Sequence, residues 1–421
     1  MTARPTLHSG QLGVLASAIG ELAPLPAPAD AMLHRFFRAH PQMGREDRSF
    51  VSDAAFAWLR RRRSLETLAQ THDPRLLALA TVVRELGVSG RELDAVVSER
   101  DAAWVREFKS RLSTPLESAV AADLPDWLWT KLGDAYGEEE RLALARALLA
   151  PAPLDLRVNP LKTTRDAARA ELAASGIQAG TTPYAPLGLR IAGRPSLAQH
   201  PLMLDGGVEV QDESSQLVGY LVAPRRTDMV VDFCAGAGGK TLLLGALMRS
   251  QGRLYAFDVV DTRLAKLKPR LARSGLSNVH PQLLASERDP HVKRLAGKID
   301  RVLVDAPCTG FGTLRRNPDL KWRQSERSLA ELTAKQAAIL ASAATLVKPG
   351  GRLVYATCSI LPEENGAIVD AFIGAHPEFE LGDATAELAR AGIPLATGRT
   401  MMLLPHRHGC DGFFAAVLER K

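Results

Sequence analysis

The sequence predicts an α/β chain whose C-terminal half folds as a doubly wound, Rossmann-like sheet, and three observations carry that prediction. Short apolar runs at residues 229–233, 253–258, 301–305 and 352–357 have the length and composition of strands buried on both faces. Helical stretches at residues 240–248, 263–273 and 333–346 separate them, so strand and helix alternate. The first run leads straight into a glycine-rich turn, Cys234-Ala235-Gly236-Ala237-Gly238-Gly239-Lys240-Thr241, at the edge where such sheets meet their ligands.

The remainder follows in chain order. At 421 residues the chain is too long for one core. Residues 1–122 read as helical: stretches 31–39 and 50–59 place Phe36, Phe37, Phe56 and Leu59 at helical spacings, and residues 76–86 continue the pattern. Residues 23–30, rich in proline and alanine, form a loop between them. Residues 123–207 read as a small α+β segment. It opens with a further helix at 138–149, and Leu154, Leu156 and Val158 then alternate as a strand. Thr164-Arg165-Asp166 next starts a helix that ends near Gly176. A second break at residues 201–207 precedes the α/β domain, 208–421.

Composition excludes several classes. With 46% hydrophobic and 24% charged residues the chain is globular, and no apolar run approaches the roughly 18–20 residues of a membrane span. Residues 1–10 lack the apolar region of a secretory signal. The four cysteines show neither paired nor zinc-type spacing, which points to a reduced, cytoplasmic protein without a metal. The net charge is +6, and its distribution is uneven. Residues 261–327 carry fifteen Lys/Arg against seven Asp/Glu, whereas residues 1–120 carry sixteen against fourteen. The excess beside the glycine turn points to a polyanionic partner, with an ordinary solvated face as the plain alternative.

Glycines at a strand-to-helix turn let backbone approach a ligand and aim helix N-terminal amides at it. A phosphate-binding loop needs glycine where Cys234 stands, and a dinucleotide loop needs it at Thr241. Both patterns fail by one residue. Asp258 closes the next strand, where a carboxylate can accept hydrogen bonds from both ribose hydroxyls. A short loop with a ribose-binding acid fits S-adenosyl-L-methionine, which has no phosphate to cradle. The predicted contacts are Cys234, Ala235, Gly236, Ala237, Gly238, Gly239, Lys240, Asp258, Arg263 and Asp305.

Two cysteines stand at adjacent strand ends: Cys308 in Asp305-Ala306-Pro307-Cys308, and Cys358 in Thr357-Cys358-Ser359. A lone cysteine is more often a small buried hydrophobe. Two at the sheet edge that also carries the glycine turn match a specific chemistry. Carbon 5 of cytosine is too weak a nucleophile to accept a methyl group until a thiolate adds at carbon 6 and converts the ring to an enamine. The adduct must then lose its carbon-5 proton and expel the thiol, a stage at which a second ionisable group helps. A protonated Asp305 could donate to nitrogen 3 during attack, and the target base must leave its stack.

These residues resemble a known family, the RNA cytosine-5 methyltransferases of the RsmB (Fmu/Sun) and NOL1/NOP2 superfamily. The resemblance rests on Asp305–Cys308 with Gly310, Gly312, Arg315-Arg316-Asn317-Pro318-Asp319 and Trp322, and on Thr357-Cys358-Ser359 with Glu363-Glu364-Asn365. Gln211-Asp212-Glu213-Ser214-Ser215 and Asp411-Gly412-Phe413-Phe414 complete it, so that it runs from about Leu124 to the C-terminus. It implies that Cys358 is the nucleophile, that Cys308 assists product release, and that the glycine loop, Asp258 and Asp305 line the cofactor and target-base site. It also implies that residues 154–207 form a small RNA-recognition-like insert, and that the helical N-terminus is similar to a NusB-like RNA-binding domain. On the same reading Arg315, Arg316, Lys321 and Arg323 contact RNA, and the chain is a monomer. Ribosomal RNA of the small subunit is the expected substrate, with transfer RNA second. The sequence departs from the family at Ala237, usually proline, at Thr309, usually serine, and at residues 285–289, which leaves the adenine contact open.

Three alternatives remain at this level. DNA cytosine-5 methyltransferases use the Pro-Cys thiol as nucleophile and carry a Glu-Asn-Val motif that is absent here. A silent RNA-binding assembly factor would have no use for both thiols, Asp305 and the glycine loop. A zinc site at His406, His408 and Cys410 lacks a nearby fourth ligand.

Overall fold

The computed structural model describes residues 7–193 and 195–421, so the opening residues 1–6, part of the stretch read as lacking a secretory signal, lie outside the described residues. The chain divides into two compact units. One holds the chain up to Ala150 together with Leu314–Ser325, and the other holds Pro151–Thr313 and Glu326–Lys421.

The first unit is helical, as its periodicity predicts. Its principal helices are Ser9–Leu22, Ala29–Ala39, Arg45–Ala69, Pro74–Arg84, Glu99–Arg111 and Asp126–Leu148. Met32, Leu33 and Phe36 bury one face of the second, and Trp58, Leu65, Leu77 and Phe108 extend the same core. Local chemistry sets the ends. The Asp73 carboxylate accepts from the Arg75 N–H at 2.8 Å, with Pro74 at the first helical position where its missing N–H costs nothing. The helix read at 138–149 is the second half of Asp126–Leu148, interrupted at Gly137, whose φ of +71° suits glycine. This helix lies in the first compact unit, which runs to Ala150. The segment Leu314–Ser325 returns to the same unit, where the Trp322 indole N–H donates to the Leu59 carbonyl at 2.8 Å.

The second unit contains two sheets. The smaller is antiparallel, ordered β2-β3-β1-β4, from β1 (Leu154–Val158), β2 (Ala179–Thr181), β3 (Gly188–Ile191) and β4 (Val208–Val210). Helix Arg165–Ala174 starts on Thr164, which accepts from the Ala167 N–H at 3.2 Å, and contributes Ala168 and Leu172 to a core with Leu156, Val158, Leu189 and Val208. The break predicted at 201–207 holds a short helix, Pro201–Leu204, followed by β4.

The larger sheet comprises β5 (Met229–Asp232), β6 (Arg253–Asp258), β7 (Val279–Leu283), β8 (Ile299–Asp305), β9 (Val347–Thr357), β10 (Phe379–Leu381), β11 (Thr400–Leu403) and β12 (Phe413–Arg420). Its order is β10-β12-β9-β8-β5-β6-β7, with β11 paired to β12. Strands β7, β6, β5, β8 and β9 run parallel, and β12 is antiparallel to β9. This is the doubly wound layout expected. The order of strand addition reverses between β5 and β8, and ligands bind at the carboxyl ends beside that switch. Four strands escaped the apolar-run criterion. In β7 the sequence Val279-His280-Pro281-Gln282-Leu283 has no apolar run, because an edge strand needs little burial and tolerates proline. Among the described residues no helix is long and apolar enough to cross a membrane.

Candidate functional site

β5 delivers the chain to the glycine loop at the switch point. Gly236 and Gly238 have φ of +56° and +85°, a conformation L side chains rarely adopt. Gly238 has a second constraint, since a Cβ there would lie 2.2 Å from Leu267 Cδ1. A Cβ at Gly236 would meet nothing within 4 Å and would project into open space. The acid at the end of β6 fastens the loop: Asp258 accepts from the Gly236 N–H and the Val260 N–H, both at 2.8 Å. One backbone donor on each oxygen leaves lone pairs of both for a diol.

Beneath the loop lies Asp232, fully buried. One of its oxygens accepts from the Thr241 hydroxyl at 2.7 Å, and the other has no partner among the described residues. Burial pushes its carboxyl up to about 7, opposed by the Thr241 hydrogen bond. Burial likewise pushes the Cys234 thiol well above its ordinary value. Asp305, at the end of β8, meets Lys240 Nζ at 2.7 Å, and that ammonium also lies 4.7 Å from the Phe413 ring centre.

The two thiols converge. Cys308 and Cys358 follow the adjacent strands β8 and β9, and their sulfurs are 3.4 Å apart. A buried scaffold sets that separation. Glu364 accepts from the Thr309 N–H at 2.8 Å, from Gln336 Nε2 at 3.0 Å, and from the hydroxyls of Thr309 and Ser359, the residues that follow the two cysteines. Gln336 also donates to the Pro307 carbonyl at 2.9 Å. Gly312 donates to the Cys358 carbonyl at 2.9 Å and accepts from the Gly412 N–H at 2.8 Å. A Cβ on Gly312 would sit 2.0 Å from the Gly412 carbonyl oxygen, and one on Gly412 2.7 Å from Gly312 Cα, which explains a glycine on both sides of that contact. The hydrogen bond with Cys358, and then burial, hold the Cys308 thiol well above its ordinary value.

One cleft of about 610 Å³ joins these groups. Of the predicted residues, Cys234, Ala235, Gly236, Ala237, Gly239, Lys240, Asp258, Arg263, Asp305, Cys308 and Cys358 line it, while Gly238 turns the loop behind it. Sequence reasoning missed Val260, Leu284, Glu287 and Lys335, which line the same cleft. Of the residues read around 285–289, Asp289 caps the helix Pro290–Arg294, accepting from the Ala285 and His291 N–H groups at 2.8 Å. Of this stretch, Leu284 and Glu287 line the cleft. The cleft fits a nucleoside carrying an amino-acid tail: an acid for the ribose, an unfilled space over Gly236, apolar walls at Val260 and Leu284, and a buried carboxylate oxygen with no partner.

The predicted RNA contacts fall elsewhere. Arg315, Arg316, Lys321 and Arg323 belong to the helical unit. The expectation for Lys321 requires correction. This side chain is buried, donates from Nζ to the Arg60 carbonyl at 2.8 Å and lies 5.0 Å from the Trp322 ring centre. Its charge sits inside the helical core, where no phosphate can reach it. Arg315 and Arg316 are half-buried, and Arg323 pairs with Asp319 at 3.4 Å.

A doubly wound sheet with this loop, acid and reversed last strand defines a Rossmann-like methyltransferase, and its methyl donor is S-adenosylmethionine. Residues 219–419 match the family described as 16S rRNA methyltransferase RsmB/F, and residues 124–198 match the RsmF/B-like ferredoxin-like domain. The chain is 37% identical, over 70% of its length and 66% of the relative's, to a probable ribosomal RNA small subunit methyltransferase B of Synechocystis. It is 33% identical, over 84% of its length and 80% of the relative's, to ribosomal RNA small subunit methyltransferase B of Salmonella arizonae. The crystal structure of a methyltransferase homologue from Pyrococcus horikoshii superposes with a TM-score of 0.61 at 28% identity, covering 72% of this chain and 98% of that one. The chain belongs to the RsmB/F family of 16S rRNA methyltransferases.

Proposed function

We propose that this chain methylates carbon 5 of a cytosine in small-subunit ribosomal RNA through a covalent adduct between Cys358 and the base. The observation that carries the reading is the meeting of two thiols, 3.4 Å apart, in the cleft that also holds the glycine loop. Residues 234–240, Asp258 and Arg263 hold the cofactor, which when bound supplies an electrophilic methyl group on a sulfonium.

Cys358 adds to carbon 6, breaking the 5,6 double bond and making carbon 5 nucleophilic. The resemblance to the family divides the roles of the thiols. Cys308 stands 3.4 Å from the Cys358 sulfur and, as a thiolate, is a base beside the adduct. That suits Cys308 to removal of the carbon-5 proton, after which the double bond re-forms and the Cys358 sulfur leaves. The Asp305–Lys240 pair serves nitrogen 3. Lys240 donates to Asp305 at 2.7 Å, so the pair brings N–H donors to nitrogen 3 where the sequence alone expected Asp305 to donate. Arg315, Arg316 and Arg323 are the candidates for phosphate contact, and the half-exposed guanidinium groups suit that role better than Lys321.

The two cysteine variants test this reading. Cys358→Ala abolishes methylation and leaves no covalent RNA. Cys308→Ala still attacks and methylates but stalls, accumulating a protein–RNA complex that survives denaturing electrophoresis and disappears in the double variant. The reverse pattern would exchange the roles, and full activity in both variants would refute the covalent route. Cofactor binding, measured in parallel, stays intact in both.

A further inference from the structure

The glycine loop is held from behind by guanidinium groups that the mechanism does not use. Arg157, on β1 of the small sheet, donates from Nη1 to the Gly239 carbonyl at 2.6 Å and to the Gln211 side-chain oxygen. Arg270, on the helix Asp261–Ser274, donates from Nη1 to the Ala237 carbonyl at 2.6 Å. Glu209, on β4, joins them: it stands directly opposite Arg157 across β1 and β4, and its carboxylate pairs with Arg270 at 2.8 Å and with Arg273 at 2.8 Å.

We infer that Arg157 and Arg270, tied together through Glu209, are positioning residues for the cofactor loop, so that the small sheet is a structural part of the cofactor site as well as a separate RNA-recognition element. The inference rests on the placement of the cofactor at residues 234–240. Gly239 and Lys240 open the helix Gly239–Leu247, and the first amides of a helix have no intrahelical acceptor. A peptide plane carries its C=O and its N–H in opposite directions. Anchoring the Gly239 carbonyl on Arg157 therefore turns the Lys240 N–H away from the guanidinium and fixes the plane from which the Lys240 side chain reaches Asp305. Anchoring the Ala237 carbonyl on Arg270 does the same two residues earlier, between the two glycines of positive φ, where the backbone has most freedom to lose. Arg157 is 3% exposed, and burial lowers its guanidinium to about 10, so a full cation is kept out of water next to an uncharged carbonyl. Packing alone would be served there by an apolar side chain.

The test is binding of S-adenosylhomocysteine to the full chain by calorimetry, with thermal stability recorded for each variant. Arg190→Ala is the structural control: Arg190 makes a two-pronged pair with Asp155 in the same sheet, at 2.8 and 2.9 Å, and touches no loop residue. Arg157→Ala is expected to raise the dissociation constant by at least about tenfold, the scale of one lost charge-assisted hydrogen bond, with Arg157→Lys recovering part of the loss. In turnover the effect appears as a raised KM for the methyl donor. Arg190→Ala, at a comparable drop in Tm, leaves cofactor affinity intact. Equal affinity losses in Arg157→Ala and Arg190→Ala overturn the inference. If Arg157→Ala does not fold, Glu209→Gln decides: Glu209 does not itself line the cleft, and cofactor affinity equal to wild type overturns the inference. Asp258→Ala is the reference for the cofactor's placement. Unchanged affinity there overturns that placement and the inference with it, whereas loss there without loss in Arg157→Ala overturns the inference alone.

Discussion

Removing the Glu364 carboxylate tests whether the separation of the thiols is built by the fold. Glu364 is 0% exposed and accepts four hydrogen bonds, three of them from Thr309 and Ser359, the residues next to Cys308 and Cys358. In Glu364→Ala the Thr309 N–H and one N–H of Gln336 lose their acceptor. The Thr309 and Ser359 hydroxyls, 3.4 Å apart, can turn toward each other. Two orphaned buried donors at roughly 1–3 kcal/mol each, with the cavity added, give a loss of about 3–5 kcal/mol. Glu364→Gln keeps the shape and one carbonyl oxygen, and the hydroxyls can reverse to accept from the amide, so its loss is about 1–2 kcal/mol. Urea denaturation reads these as shifts of midpoint at constant slope. Activity falls further than stability explains: displacing either sulfur by about 1 Å costs on the order of a hundredfold in the rate of a single turnover. Cofactor affinity is unchanged, because Glu364 does not line the cleft. A Glu364→Ala protein with wild-type turnover would refute the claim that this carboxylate sets the thiol geometry.

Two further outcomes follow from the structure. Asp258→Ala weakens S-adenosylhomocysteine binding by about 1.5–3 kcal/mol, the scale of hydrogen bonds to a charged group; Asp258→Asn, which can still accept from one backbone donor, loses less, and equal affinity in all three proteins by calorimetry would remove Asp258 from the site. Lys321 makes stability depend on pH. Burial lowers its ammonium to about 7, against Asp123, which raises it, and Arg60 and Arg61, which lower it further. Between about pH 7 and the ordinary lysine value near 10.4 the unfolded chain binds the extra proton, so stability rises with pH across that window and is flat below it. Lys321→Met removes that slope, and urea titrations at pH 7 and pH 9.5 giving the same slope in both proteins would place the Lys321 charge outside the core.

Local pattern was enough for most of the architecture. Apolar runs of strand length, spaced by helices, identify β5, β6, β8 and β9, because a strand buried on both faces must be apolar throughout. The glycine loop, Asp258, Cys308 and Cys358 were legible because each occupies the carboxyl end of a strand, a position that chain order alone defines. What lay beyond the sequence depends on groups far apart in the chain. Nothing local distinguishes Lys321 from its neighbours Arg315 and Arg316, yet packing against Arg60 and Trp322 takes it out of solvent. Arg157 reads as one polar residue in an alternating strand, and only the approach of β1 to residue Gly239, 82 positions later, gives its cation a carbonyl to hold. The 3.4 Å between the sulfurs is likewise set by register between β8 and β9 and by one buried carboxylate, Glu364, whose four donors come from three separate segments. Sequence order fixes which strand carries each group; distances of that kind come from long-range packing, which periodicity does not encode.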